Sequence, residues 1–151
     1  MSADIPPRPR REAARKARER RPAPLEFSLE LPGTPPSFNQ VGLHSHWARG
    51  RKVKQEWQQM VEVMLMKEQV PRNLHSVAAS AVVNFKQRRR RDEGNWKAIL
   101  DKVTGDALVT ARRIPDDTPQ YYRFGSVELR APCEVPSTVI KLVCELPAGA
   151  G

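Results

Sequence analysis

The stretch that decides the fold is SVAASAVVNFK, residues 76–86, which is rich in Ala and Val and ends in polar and charged positions. A short apolar run of this kind suits a buried β-strand that emerges toward solvent at its end. Before it, apolar residues recur at three- and four-residue steps from Lys54 to Lys67 and predict an amphipathic helix that ends near Pro71. After it, similar spacing from about Asn95 to Leu108 predicts a second helix.

Three further strands complete the predicted architecture. Apolar and polar residues alternate from Leu25 to Leu31, which is the period of a half-buried strand. Prolines and a glycine end this strand, and we interpret the segment up to Gly50 as a loop. Tyr122 to Ala131 and Thr138 to Leu146 are typical of two strands joined by a turn. The order β-α-β-α-β-β predicts an α+β fold with a mixed sheet and helices packed on it.

The length of 151 residues leaves room for one domain and a tail. Residues 1–24 hold eight basic and three acidic residues, a net +5 of the chain's +9, with almost nothing apolar. Such a segment cannot offset its ordering entropy by burial, so we expect a disordered basic tail. The domain is predicted over residues 25–147, followed by a flexible C-terminus at 148–151.

The charge balance indicates the class of partner. Lys and Arg total 26 against 17 Asp and Glu, and a field of this sign attracts polyanions, nucleic acid first. No apolar stretch approaches the roughly 20 residues of a membrane span, so no membrane partner is expected. The N-terminus has no apolar centre of a secretory signal, which predicts an intracellular, cytoplasmic protein.

Two acidic motifs carry the candidate chemistry. A run of four arginines leads directly into Asp92, and the pair Asp116-Asp117 follows after the second helix. The run consists of Arg88, Arg89, Arg90 and Arg91. Arginines beside a carboxylate suit a site that binds phosphate and holds a divalent metal, and all four are predicted to contact the DNA backbone. Carboxylate-bound Mg²⁺ can neutralise phosphate oxygens and activate water, as phosphodiester hydrolysis requires.

These motifs resemble those of the RusA family of Holliday-junction resolvases. The matching segments are RRRRDEGN at residues 88–95, KVTGDAL at 102–108, IPDD at 114–117 and, upstream, LP at 31–32 with PPSFN at 35–39. The resemblance extends over about residues 25–146 and implies a RusA-like sheet. It also implies a homodimeric, Mg²⁺-dependent endodeoxyribonuclease that cuts four-way junctions in recombination, repair or phage DNA processing, with Mn²⁺ as a substitute ion.

The resemblance also implies roles for individual residues. Asp92 and Asp117 correspond to metal-binding carboxylates, Asp116 to an auxiliary one, and Lys102 to the essential helix lysine. Gly94 stands where the family has a second aspartate, so Glu93, Asn95 or water would have to substitute as a ligand. The missing carboxylate predicts weak Mg²⁺ binding. The setting would be the cytoplasm of a bacterium or a phage-infected cell.

Helical geometry supports Lys102 among the lysines of the second helix. At about 100° per residue, Lys102 and Asp106 share a stripe with Asn95, whereas Lys97 and Asp101 point away and are interpreted as a solvent-facing pair. The other predicted DNA-binding residues, besides the four arginines of the run, lie on a flank around residues 49–54, where cations would meet phosphates. They are Arg49, Arg51, Lys52 and Lys54.

Two other classes of function remain open at this stage. The loss of the family aspartate at Gly94 is compatible with a junction- or duplex-binding protein that has no catalysis. A basic RNA-binding or assembly module would carry similar charge but would show no preference for branched DNA. Cleavage of a synthetic four-way junction separates the first from the enzyme, and competition binding separates the second.

Overall fold

The computed structural model describes residues 22–36 and 47–149. In this part of the chain the elements follow the predicted order β-α-β-α-β-β. They are β1 Leu25–Pro32, α1 Trp47–Lys67, β2 Ser76–Asn84, α2 Glu93–Thr110, β3 Tyr122–Arg130 and β4 Ser137–Glu145. The prediction of an α+β fold with a mixed sheet is confirmed.

The four strands form one sheet in the order β1-β4-β2-β3. Strand β4 pairs antiparallel with both β1 and β2, whereas β2 and β3 are parallel neighbours. Parallel neighbours require a crossover connection, and α2 supplies it. This crossover fixes the position of α2 relative to the sheet, and α2 carries Glu93 and Lys102 and lies between Asp92 and the Asp116-Asp117 pair.

One face of the sheet forms the core. Strand register places Leu29 of β1 beside Ile140 of β4, which in turn pairs with Ala81 of β2. All three are buried, whereas Lys141, the next residue of β4, points the other way and is exposed. Helices α1 and α2 pack against each other and against the sheet. The domain is therefore a two-layer structure with its hydrophobic core between the helices and one sheet face.

A β-bulge in β3 explains an irregularity in its sequence. Apolar residues occupy positions 122 and 124 and then 127 and 129, so the alternation breaks between Phe124 and Val127. The register with β2 shifts at this point, because Ala79 pairs with Phe124 while Ala81 pairs with Val127. The extra residue restores the apolar side chains to one face. As a consequence Arg130 points away from the core at the end of β3.

The first helix is longer than the sequence predicts. It begins at Trp47, not at Lys54, so the segment predicted as the end of a loop is helical instead. The apolar stripe continues backward from Trp57 through Val53 to Gly50, which is buried where the helix contacts its neighbours. The glycine hides this periodicity in the sequence, because it contributes no side chain to the pattern.

Several predictions fall on residues outside the described part of the chain. These are most of the basic tail, residues 1–21, part of the upstream motif, residues 37–39, and the last two residues, 150–151. Among the described helices, none is both long enough and apolar enough to cross a membrane.

Candidate active site

Asp92 is the N-cap of α2. Its carboxylate Oδ1 accepts a hydrogen bond from the Gly94 N–H at 3.0 Å, and its backbone oxygen accepts one from the Asn95 N–H at 3.2 Å. Asp is among the best N-cap residues because its side chain pairs with a backbone N–H that the helix leaves without a partner. The predicted metal ligand therefore already has a structural task at the beginning of the helix.

The arginine run lies immediately before this cap and is partly held in place. The guanidinium of Arg91 lies 3.8 Å from the centre of the Phe85 ring, and its Nη1 donates to the Gln87 carbonyl at 3.0 Å. Phe85 packs edge-on against Trp96 of α2, with 5.4 Å between ring centres. A cation above an aromatic ring is stabilised by the ring's quadrupole. Arg91 is thus fixed at the N-terminus of α2, and the chain places the rest of the run beside it.

Not all four arginines of the run line the same cavity. Arg88, Arg89 and Arg91 line a common cavity, whereas Arg90 is exposed and is not part of that lining. Residues 88–91 belong to neither a helix nor a strand, and consecutive side chains of such a segment leave the backbone in different directions. Three arginines of the run therefore line one cavity and Arg90 does not, while the prediction that all four contact DNA stays a prediction.

A second group of charged residues surrounds Tyr122 farther along α2. The Tyr122 ring lies on the helix at Gly105, where an added Cβ would be 3.0 Å from ring carbon Cε1 and 3.5 Å from the Cβ of Asp117. A residue with a side chain at this position would require the Tyr122 ring to shift. Gly105 therefore brings the loop that carries Asp117 against the middle of α2.

Tyr122 lies near acidic residues of both the helix and the following loop. Its hydroxyl donates to the backbone carbonyl of Asp101 at 3.0 Å. Burial raises the pKa of Tyr122 far above its usual value, and the negative charges of Asp101, Asp117 and Asp106 raise it further. Carboxylates from the helix and from the following loop thus act on one hydroxyl. We call Asp101, Asp106 and Asp117 the acidic cluster.

This arrangement corrects the prediction for Asp101. The sequence places Asp101 in a solvent-facing pair with Lys97, but Asp101 is half-buried beside Tyr122 and forms no ion pair with that lysine. Helical angles alone could not reveal this, because the loop after α2 folds back over that side of the helix. Gly105, one turn after Asp101, was the available indication that another element approaches.

Lys102 and Asp116 have partners of their own. The Lys102 Nζ lies 3.2 Å from Oδ1 of Asp106, which confirms the predicted pairing along one stripe of the helix. The ammonium group remains accessible, since 61% of the lysine side chain is exposed. Oδ1 of Asp116 accepts the Asp117 N–H at 2.7 Å and so shapes the loop. Lys102 therefore stands beside the acidic cluster, and Asp116 supports its loop.

The structure does not bring Asp92 to Asp117. Thirteen residues of α2 separate Asp92 from Gly105, the position that Asp117 contacts, and at 1.5 Å per residue this is about 20 Å. The two carboxylates cannot share one ion within one chain. Glu93, in the first turn of α2, is equally far from the acidic cluster. Over residues 22–36 and 47–149, no group of three or more His, Cys, Asp and Glu residues is arranged to hold a metal.

The predicted flank of cations lies on a helix instead of a loop. Arg51 and Lys52 are exposed on α1, Lys54 is half-buried there, and Arg49 belongs to the first turn of the same helix. A helix holds its cations at fixed spacing, so the correction changes their arrangement but not the kind of surface they form.

A cavity larger than the one lined by the arginines lies elsewhere in the described part of the chain. It measures about 510 Å³ and is lined by His75, Arg112 and Tyr121 among others, with no carboxylate or lysine. Its lining lacks the groups that phosphodiester chemistry needs, so size does not identify the site.

Neither a protein-family model nor a curated protein matches this sequence.

Proposed function

We propose that this chain is a RusA-like, metal-dependent endodeoxyribonuclease that binds and cuts branched DNA in the cytoplasm. The observation that carries the proposal is the distribution of charge along α2. Arginines gather before its N-terminus, and the acidic cluster with Lys102 lies around Gly105. One helix thus presents a phosphate-binding surface and a set of carboxylates at a fixed separation, as an enzyme that binds DNA at one point and hydrolyses it at another requires.

The acidic cluster suits Mg²⁺ better than the pair Asp92 and Asp117. Mg²⁺ prefers carboxylate oxygens and is held in many enzymes by only one or two carboxylates, with waters and substrate phosphate completing its shell. Asp117 comes from the loop that lies against Gly105, and Asp101 is one turn before Gly105 on α2. They would hold the ion, and when bound it would neutralise phosphate oxygens and activate water. Mn²⁺, which favours similar ligands, would substitute.

The chain's own residues would bind and orient the DNA. Lys102 presents an exposed ammonium next to the cluster and would offset charge on the phosphate that reacts. Asp116 keeps the loop of Asp117 in place through the Asp117 N–H. Tyr122, buried with its hydroxyl on the Asp101 carbonyl, fixes the distance between loop and helix. Asp92 would act only as the N-cap that positions the arginines.

A homodimer would let two such sites cut paired strands of a four-way junction. Strands β1 and β3 form the two edges of the described sheet, each with one side unpaired. We expect sedimentation equilibrium of the full chain to give twice the chain mass. A monomer at all concentrations would remove the paired-cut scheme without affecting the assignment of the individual site.

The test is cleavage of an end-labelled four-way junction, resolved on a denaturing gel, with Mg²⁺ or Mn²⁺. We expect the wild-type chain to cut, and Asp117→Asn and Asp101→Asn each to abolish cutting while junction binding is retained. Glu68→Gln is the matched control, because Glu68 is an exposed carboxylate at the end of α1, away from the site. Near-normal cutting by Asp117→Asn would contradict the assignment.

One observation favours a second candidate, a junction-binding protein without catalysis. Gly94 replaces the aspartate of the family pattern, and the described residues contain no group of three metal-binding side chains. This candidate predicts tight junction binding with no cleavage under either Mg²⁺ or Mn²⁺. The same gel therefore separates the two functions.

A further inference from the structure

We propose that the cavity between the arginine run and the end of β3 binds one backbone phosphate of the DNA, and that Arg130 is its fourth cation. The cavity measures about 280 Å³. Three of its arginines come from the run, Arg88, Arg89 and Arg91, whereas Arg130 comes from β3, about forty residues later in the sequence. This inference rests on the proposed function, because it takes the phosphate to belong to the DNA that the chain binds.

The charges around this cavity are only partly compensated by the protein, because Arg130 alone of the four arginines pairs with a carboxylate, that of Glu128. Within the described residues, no carboxylate forms an ion pair with Arg88, Arg89 or Arg91. Glu93 is the one acidic residue in the lining. Four guanidinium groups are therefore balanced by only two carboxylates, Glu93 in the lining and Glu128 on Arg130, and an anion is the ligand that would lower the electrostatic energy of this arrangement.

The arginines are also suitably held for a phosphate. The guanidinium of Arg91 packs on the Phe85 ring, so the Arg91 side chain loses little rotamer freedom when it binds a phosphate. Arg130 uses one Nη2 bond, 3.0 Å long, to Glu128, and the guanidinium keeps other N–H donors for a second acceptor. A planar guanidinium matches two phosphate oxygens at once. The residues thus supply the geometry as well as the charge for phosphate recognition.

The position of the cavity relative to the acidic cluster sets the spacing of the contacts on DNA. About 20 Å of α2 separates its N-terminus from Gly105, and one DNA strand rises about 3.4 Å per nucleotide. The bound phosphate would lie about six nucleotides from the one at the acidic cluster. Arg130 is then a positioning residue that sets the register of the duplex.

The experiment measures binding of a fluorescein-labelled four-way junction by the full chain, as a function of salt, without divalent metal. We expect Arg130→Ala to lower the slope of log K against log[salt] by about 0.9, equivalent to roughly eightfold weaker binding at 0.1 M salt. Arg72→Ala is the matched control. It removes the same charge from an exposed arginine beside the C-terminal end of α2.

Arg130→Lys tests the geometry, because it keeps the charge but loses the planar fork. We expect intermediate binding from this variant. The Arg130 side chain is 54% exposed, so all variants should have the same melting temperature as the wild type. If the wild-type chain binds the junction and Arg130→Ala behaves as Arg72→Ala does, the cavity assignment is overturned while the proposed function stands. If the wild-type chain does not bind the junction at all, both are overturned.

A scan of single neutral methylphosphonates along one strand of the junction tests the position. We expect the wild type to lose affinity at one substituted phosphate near the predicted six-nucleotide offset from the cleaved bond. Arg130→Ala should show a smaller loss at that phosphate, because only Arg88, Arg89 and Arg91 remain to contact it. A loss as large in Arg130→Ala as in the wild type would show that Arg130 does not contact that phosphate, and would overturn the proposal.

Discussion

Replacing Gly105 by alanine tests whether Tyr122 and the Asp117 loop lie against α2. Alanine in a helix interior is normally favoured over glycine by about 1 kcal/mol. Here the new Cβ would stand 3.0 Å from Cε1 and 3.4 Å from Cδ1 of the Tyr122 ring, inside the roughly 3.5–4.0 Å of a good carbon contact. The ring would have to move by a few tenths of an ångström.

Tyr122 has little freedom to make that movement. It is 5% exposed, and its hydroxyl is bonded to the Asp101 carbonyl at 3.0 Å. Overpacking of this kind costs about 1–3 kcal/mol, so it should outweigh the gain in helix propensity. We expect Gly105→Ala to lower the free energy of unfolding by about 1 kcal/mol.

Gly94→Ala is the matched control on the same helix. Its Cβ would have an ordinary contact of 3.4 Å with Asp92 Oδ1, at an exposed position. We expect this variant to be stabilised by about 0.5–1 kcal/mol, so the two alanine variants should differ by about 2 kcal/mol in urea unfolding. If Gly105→Ala were as stable as Gly94→Ala, the ring would not lie on the helix and the acidic cluster would lose its structural basis.

Three further perturbations test other parts of the account. Deletion of residues 1–24 removes a net charge of +5, so it should weaken junction binding and reduce the salt dependence of that binding. Cleavage should stay measurable at low salt. A truncated chain that folds and binds DNA but cannot cut it would contradict this prediction. The pKa of Tyr122 is raised in the folded state, so its contribution to stability is complete below the unfolded-state pKa of about 10 and is lost as pH rises above it, by about 1.4 kcal/mol per pH unit. Urea unfolding between about pH 9 and 11 should show this loss of stability in the wild type and in the control Tyr121→Phe. Tyr122→Phe should not show the loss, because it has no hydroxyl to titrate. An equal loss in Tyr122→Phe would exclude Tyr122 as the cause. Gly94→Asp restores the family carboxylate at a residue without positive φ. Residue 94 lies about 20 Å from the acidic cluster, so we expect the Mg²⁺ concentration for half-maximal cleavage to stay unchanged. A decrease in that concentration would place the ion beside Asp92.

The order of elements could be predicted because periodicity and turn residues are local properties. The alternation from Leu25 to Leu31 and the run from Ser76 identify strands that the structure has within one or two residues of the predicted ends. The beginning of α1 could not be predicted in the same way, since Gly50 interrupts the apolar pattern although it lies in the core-facing stripe.

The arrangement of the candidate site was harder to predict than the fold. Asp92 and the Asp116-Asp117 pair are close in the sequence, but the helix between them carries them apart. How far the following loop returns along α2 depends on Tyr122 packing on Gly105, which is a tertiary contact.

The same limit applies to the arginines. A run of four identical residues gives no indication of which side chains converge, so the sequence could not separate Arg90 from Arg88, Arg89 and Arg91. Nor could it show that Arg130 lies across a cavity from three of them, because the two segments meet only in the folded chain.

The most direct test of the central claim is paramagnetic broadening by Mn²⁺ in the NMR spectrum of the ¹⁵N-labelled full chain. If the acidic cluster holds the ion, the amide signals of Asp101, Gly105, Asp117 and Tyr122 should broaden at the lowest Mn²⁺ concentrations, and those of Asp92 to Gly94 should stay sharp. Asp117→Asn should remove this selective broadening. Broadening centred on Asp92 to Gly94, or no selective broadening at all, would contradict the account.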